Sequence, residues 1–216
     1  MKAFEVSLPA DQVQLQGALV IPDQASGIVV FVHGSGSSRL SPRNRAVARS
    51  LQASGLATLL FDLLVHDEAE RDSLTAEYRF DIPLLARRLS CVLDWLSACR
   101  ETSGLAIGLF GASTGAAAAL IVAAARHEVH AVVSRGGPPD LADEALARVA
   151  APTLLIVGAR DREVIELNRR ASDQMMCERK LVLVPNATHL FEETGALERV
   201  ARLAADWFVP KLSAPR

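Results

Sequence analysis

Six short segments of the chain are predominantly apolar, and Gly, Pro or polar residues bound each of them. They are rich in Val, Ile and Leu and do not alternate with polar residues, which is typical of strands buried on both faces. The segments are residues 27–33, 56–62, 105–111, 129–134, 152–158 and 180–185. A chain built this way predicts a sheet enclosed between two layers rather than one that faces water.

Helix-length segments with apolar residues near a period of 3.6 lie between these strands, at residues 44–53, 82–100, 115–126, 165–177 and 196–208. Alternating strands and helices predict an α/β fold with a mostly parallel central sheet and helices on both faces. Residues 4–8 and 13–21 flank Pro9-Ala10-Asp11 and predict an N-terminal antiparallel hairpin. We expect a single domain over residues 1–216, a polar and solvated excursion over 66–81, and little or no lid.

Composition excludes several classes of protein. Half of the residues are apolar and the formal net charge is −2, which excludes a disordered chain and gives no electrostatic footprint for nucleic acid. The longest nearly pure apolar run, residues 116–125, is too short to span a membrane. Three cysteines without a CxxC pair, and histidines that never cluster with them, predict neither disulfides nor a metal site. Together with the absence of a visible signal peptide, this predicts a cytoplasmic protein.

Ligands of open parallel sheets bind at the carboxyl ends of the strands. One strand is followed there by Gly111-Ala-Ser-Thr-Gly115, a G-x-S-x-G motif with a strand before it and a helix after it. Such a turn lifts a serine hydroxyl off the sheet edge and requires small neighbours, and the free N–H groups of the following helix point at the same place. Later strands are followed by Asp161 and by His189, so a nucleophile, an acid and a base reach one edge.

The order Ser113, Asp161, His189 resembles that of the α/β-hydrolase superfamily, and within it of the small dienelactone-hydrolase-like branch. The motifs that carry the resemblance are His33-Gly-Ser-Gly36, Gly111-Ala-Ser-Thr-Gly115, Gly158-Ala-Arg-Asp161 and Asn186-Ala-Thr-His189. The resemblance implies an α/β-hydrolase fold, with an oxyanion hole made by the backbone N–H groups of Ser35 and Thr114. The namesake enzymes use a cysteine nucleophile where this chain has Ser113, which favours an esterase-type serine hydrolase.

Other residues near this edge leave alternatives open. Asp62 is the strongest rival to Asp161 as the acid, ahead of Asp140 and Asp143. We expect His33 to brace the loop that it begins and His66 to be exposed. Arginines at the edge could grip a substrate carboxylate, although ion pairs with Asp62 or loop carboxylates are the favoured interpretation. The possible substrate contacts are Arg39, Asp62, Phe80 and Arg135, with Phe80 as a pocket wall.

The sequence thus predicts a serine hydrolase of small carboxylic esters or thioesters that works through an acyl-enzyme. Ser113 is the expected nucleophile, His189 the base, and Asp161 the group that orients His189. No metal, organic cofactor, nucleic acid or membrane is expected as a partner, and the loop after His33 lacks the glycine pattern of a nucleotide site. The alternatives are a small peptidase or acyl-peptide hydrolase, and a non-catalytic ligand-binding protein on the same fold.

Overall fold

The computed structural model describes residues 1–213 and has an eight-stranded sheet at its centre. The strands are β1 (Lys2–Ala10), β2 (Val13–Ile21), β3 (Gly27–Val32), β4 (Ala57–Phe61), β5 (Ala106–Ala112), β6 (Val129–Arg135), β7 (Thr153–Gly158) and β8 (Arg179–Val184). Their order across the sheet is β1-β2-β4-β3-β5-β6-β7-β8. Strands β3 to β8 are mutually parallel, and β2 is antiparallel to both of its neighbours. The predicted α/β fold with a mostly parallel sheet is confirmed.

Helices cover both faces of this sheet. They are α1 (Pro42–Ala53), α2 (His66–Thr75), α3 (Ile82–Ala98), α4 (Thr114–Ala125), α5 (Arg162–Gln174) and α6 (Ala196–Leu212), with a kinked 3₁₀ segment at Pro139–Arg148. One apolar core lies under α1 and α6, and a larger one under α3, α4 and the 3₁₀ segment. Helix α4 carries the long apolar run and is buried over most of its length. Within residues 1–213 no helix is long and apolar enough to cross a membrane.

The N-terminal hairpin forms as predicted, but its turn lies further along the chain. Pro9 and Ala10 belong to β1, where they pair with Gln14 and Val13. The chain reverses at Asp11, which has a φ of 52°. Proline is tolerated in β1 because β1 is the edge strand and has a free side.

Two expectations from the apolar pattern were partly wrong. Strand β8 is the other edge of the sheet, and only Val184 of its six residues is buried, so it does not have two buried faces. The polar segment 66–81 is largely exposed as predicted, but its first ten residues form α2, and Asp72 on that helix is only 3% exposed. This short helix is one wall of the cavity described below.

Candidate active site

Ser113 occupies the sharp turn between β5 and α4. Its backbone has a φ of 49° and a ψ of −131°, a conformation that a non-glycine residue rarely adopts. The turn is held from both sides, because the Ser113 N–H donates to the Arg135 carbonyl at 3.1 Å and the Ser113 carbonyl accepts from the Ala116 N–H at 2.9 Å. The hydroxyl is therefore presented at the carboxyl edge of the sheet on a fixed backbone.

The glycines of the G-x-S-x-G motif are required by close backbone approach. A Cβ on Gly115 would lie 2.3 Å from the Val32 carbonyl oxygen, and one on Gly111 would lie 2.4 Å from the Ala116 Cα. Backbone atoms on both sides cannot move away as a flexible side chain could. Helix α4 can therefore pack this tightly against β3 and β5 only with glycine at these two positions.

The structure brings Ser113, His189 and Asp161 together. The Ser113 Oγ lies 3.5 Å from His189 Nε2, and His189 Nδ1 lies 2.7 Å from Asp161 Oδ2. Because a carboxylate can only accept here, His189 Nδ1 carries the proton and Nε2 has a free lone pair toward the serine. The His189 side chain is 41% exposed and the Asp161 side chain 15%, so the histidine is open to solvent and its acid is not.

Asp161 and His189 are each positioned by the loop after a strand. Asp161 is the residue that precedes the first turn of α5, yet its side chain does not cap that helix, which leaves the carboxylate for His189. His189 lies in the loop between β8 and α6, where the Thr188 N–H donates to Glu193 Oε1 at 3.0 Å. Phe191 in the same loop is fully buried with a φ of 55°, so packing fixes this segment.

The two residues expected to form the oxyanion hole contact each other. The Ser35 N–H donates to Thr114 Oγ1 at 3.1 Å, and the hydroxyls of the two residues lie 3.0 Å apart. The Thr114 N–H belongs to the first turn of α4, where backbone N–H groups have no partner within the helix. In this conformation the Ser35 N–H is thus hydrogen-bonded to Thr114 and has no free donor for another acceptor.

His33 braces the loop from His33 to Leu40 in the way that the sequence predicts. It is buried, its Nδ1 donates to the Gly34 carbonyl at 2.9 Å, and its Nε2 accepts from the Leu63 N–H at 3.0 Å. Burial lowers the pKa of His33, so the ring is neutral at pH 7. Its contacts tie the loop after β3 to the segment after β4.

A cavity of about 640 Å³ adjoins Ser35 and Thr114. Its walls are the loop from His33 to Leu40, the segment from Asp62 to Val65, one side of α2, and Gln14 and Gln16 of β2. The volume is within the range of about 300–1,000 Å³ that small-molecule sites occupy. The cavity is therefore larger than the shallow pocket that we expect of a chain without a large lid.

Arg39 and Asp62 form an ion pair in this cavity. Asp62 accepts from the backbone N–H of Arg39 at 2.7 Å, and its second oxygen accepts from the Arg39 guanidinium. The pair fastens the far end of the loop from His33 to Leu40 to the end of β4. Asp62 therefore faces Arg39 rather than His189, and the other two rival acids, Asp140 and Asp143, are exposed.

Two further ion pairs fix α2, and the sequence analysis did not find them. Both oxygens of Glu68 accept from the buried Arg88 of α3 at 2.7 Å, and Arg88 also donates to the Leu63 carbonyl. The buried Asp72 accepts from the backbone N–H and the Nε of Arg79. The one local signal was an acid at the third position of α2, where it accepts from the Val65 N–H.

Two residues near the edge, Phe80 and Arg135, differ from their expected roles, whereas His66 agrees with its own. Phe80 is 61% exposed and is not among the cavity walls. Arg135 does not line the cavity either, and it forms no ion pair with a carboxylate among residues 1–213. His66 is exposed as predicted and contacts Glu70 on α2.

Comparison with known proteins agrees with this fold. The model of the dienelactone hydrolase family matches residues 15–208. A crystal structure of a dienelactone hydrolase from Anabaena variabilis is 56% identical, has a TM-score of 0.96, and covers 98% of both chains. Est1E from Butyrivibrio proteoclasticus shares the fold at 18% identity, with a TM-score of 0.80 over 96% of this chain and 98% of that one.

Two curated relatives from strains of Mycobacterium tuberculosis are 55% identical over 212 residues, and each carries the name "Putative phosphoribosyl transferase". The match covers 98% of this chain but 47% of those proteins, so the chain spans about half of their length. The family model and the Anabaena structure both match nearly the whole of this chain. This chain belongs to the dienelactone hydrolase family of α/β hydrolases.

Proposed function

We propose that this protein hydrolyses carboxylic esters or thioesters, with Ser113 as its nucleophile. The observation that carries the proposal is the array of hydrogen-bonding groups from Ser113 Oγ through His189 to Asp161, at 3.5 Å and 2.7 Å. His189 takes the serine proton on Nε2 as the hydroxyl attacks the acyl carbonyl. Asp161 stabilises the imidazolium that forms. A water molecule then attacks the acyl-enzyme, again with His189 as the base.

The oxyanion of the tetrahedral intermediate needs donors close to Ser113. The Thr114 N–H is one of them, since it belongs to the first turn of α4 next to the nucleophile. The Ser35 N–H becomes the second when the Thr114 side chain, its present acceptor, turns away. One such donor is worth about 2.7–4 kcal/mol of transition-state stabilisation in characterised enzymes.

The cavity beside Ser35 receives one substituent of the substrate. Its volume of about 640 Å³ exceeds what a short acyl chain fills, and its walls combine leucines with the Arg39–Asp62 pair and Gln14. We therefore expect the preferred substrate to carry a medium-sized group with both apolar surface and hydrogen-bonding atoms. For the longer relatives, we assign this hydrolysis to the half that the present chain spans.

The test combines ester turnover with covalent labelling. The wild-type protein should hydrolyse p-nitrophenyl esters and be labelled by a fluorophosphonate probe, and Ser113→Ala should lose at least about 10³-fold of kcat/KM together with the label. Ser103→Ala, which changes an exposed serine, is the matched control and should keep both. Activity and label that persist in Ser113→Ala would refute the assignment. Preferential cleavage of amide or acyl-peptide substrates would instead favour a peptidase, and absence of both turnover and label would favour a binding protein.

A further inference from the structure

The guanidinium of Arg135 is buried without a counter-charge. Arg135 ends β6 and is 9% exposed, and its Nε and Nη1 are fully enclosed with no hydrogen-bond acceptor within the described part of the chain. Arg88, which is 3% exposed, has both oxygens of Glu68 as partners. Burying a charge is costly unless that charge is paired, so an enclosed and unpaired guanidinium points to a partner from outside the chain.

No carboxylate of residues 1–213 forms an ion pair with Arg135. The Phe191 ring lies below the guanidinium, with 5.9 Å from Cζ to the ring centroid. The nearby Glu192 is paired with Arg43 at 3.2 Å, and Arg43 itself has an enclosed Nε without a partner in residues 1–213. Burial and the charge of Arg43 lower the pKa of Arg135 to about 10, so Arg135 remains protonated at neutral pH. Arg43 thus has a carboxylate partner, whereas Arg135 has none among residues 1–213.

We propose that Arg135 is a binding site for one small monovalent inorganic anion, of the size of chloride or bromide. A single ion is enough, since Glu192 already neutralises Arg43 and leaves one positive charge. A small ion fits better than a group of the substrate, because Arg135 is almost fully enclosed and lies outside the cavity next to Ser35.

The site is connected to the active-site backbone on two sides. The Arg135 carbonyl accepts the N–H of Ser113, and Phe191 is two residues beyond His189 in the same loop. Phe191 is fully buried with a φ of 55°, and its N–H donates to the Thr188 carbonyl at 3.3 Å. An anion that neutralises Arg135 therefore stabilises the fold where the nucleophile and the base are attached.

The direct test is a crystal grown in sodium bromide, with diffraction data collected at the bromine absorption edge. We expect one strong anomalous peak in hydrogen-bond contact with the accessible part of the Arg135 guanidinium, beside the enclosed Nε and Nη1. In solution, the Tm at constant ionic strength should be about 5–10 °C higher with bromide or chloride at a hundredfold excess over its Kd than with gluconate. Arg135→Met should remove this dependence, and the matched Arg148→Met, which changes an exposed arginine, should keep it.

The proposal is overturned if no peak appears at Arg135 and the Tm does not respond to halides. It is also overturned if bromide occupies exposed arginines such as Arg148 equally, which would indicate an adventitious ion only. A third contrary result is a raised KM of Arg135→Met for esters that carry a carboxylate, with no halide effect, because Arg135 would then serve the substrate. If Arg135→Met does not fold, the bromide data from the wild-type protein decide the question, and they do so whether or not the protein hydrolyses esters.

Discussion

Mostly buried arginines on the two sides of Ser113 differ in whether they have a carboxylate partner. On the cavity side each mostly buried arginine meets a carboxylate, in the pairs Arg39–Asp62, Arg79–Asp72 and Arg88–Glu68. On the side of β6, Arg135 meets the ring of Phe191 and no carboxylate in the described residues. The pairs fasten α2 to α3 and to the segment that follows α2, and they fasten the loop from His33 to Leu40 to the end of β4, so the cavity walls belong to the stable fold. The charge of Arg135 fastens nothing and remains available to a ligand.

Arg88→Met should have the largest effect, because it breaks a pair on the cavity side. Removing one partner leaves Glu68 without its guanidinium, and we expect the free energy of unfolding to fall by about 3–5 kcal/mol. Urea denaturation measures this change. Arg87→Met on the same helix, where the side chain is exposed, should stay within about 0.5 kcal/mol. Equal effects of the two substitutions would mean that the Glu68–Arg88 pair does not fasten α2.

Glu68→Gln sharpens the comparison through pH. The hydrogen bonds from Arg88 hold the pKa of Glu68 below its ordinary value of 4.5. A carboxyl group with a lowered pKa stabilises the fold above the unfolded value, and that stability is lost as the pH falls through the folded value. We expect Glu68→Gln to be less stable by about 2 kcal/mol at pH 7, with the difference shrinking below pH 4.5.

Denaturation curves of the wild-type protein and Glu68→Gln between pH 7 and about pH 3 test this expectation. The exposed Glu77→Gln is the control and should follow the wild-type protein throughout. A gap between Glu68→Gln and the wild-type protein that does not change with pH would show that the charge of Glu68 is not what matters.

Arg135→Met, unlike Arg88→Met, should not lower the free energy of unfolding. In a buffer that contains gluconate and no halide, the substitution removes an unpaired buried charge and keeps the aliphatic length of the side chain. We expect the free energy of unfolding to rise by about 1 kcal/mol or to stay unchanged. A loss as large as that of Arg88→Met, measured by the same urea denaturation, would show that Arg135 is paired after all and would remove the contrast between the two sides.

Thr114→Val should have the smallest effect of these substitutions. It tests the hydrogen bond between Ser35 and Thr114, which lies on the cavity side next to the nucleophile. Valine has the shape of threonine but no acceptor, so the Ser35 N–H is released toward the oxyanion. We expect kcat for a p-nitrophenyl ester to rise by up to about threefold, because less than about 1 kcal/mol is needed to turn the side chain. Thr188→Val, in the histidine loop, is the control. A fall of kcat by about 10²-fold would mean that the Thr114 hydroxyl itself stabilises the oxyanion.

Much of the fold was predictable because each of its signals is local. Continuous apolar segments identified the strands, and the small residues around Ser113 identified the turn after β5. The errors came where burial depends on neighbours in space. Strand β8 has the composition of an inner strand, but it is the last in the sheet order. The hairpin turn lies at Asp11 because the edge position of β1 lets Pro9 remain in the strand.

The sequence by itself determined the α/β fold, and it placed Ser113, Asp161 and His189 at one edge, since parallel strands all end on the same side of their sheet. Only the tertiary structure decided that Asp161 rather than Asp62 contacts His189, and that Arg39 is paired whereas Arg135 is not. These outcomes depend on distances between segments that are remote along the chain. The sequence shows which groups a charged side chain can bind, and the packing around that side chain decides which of those groups it contacts.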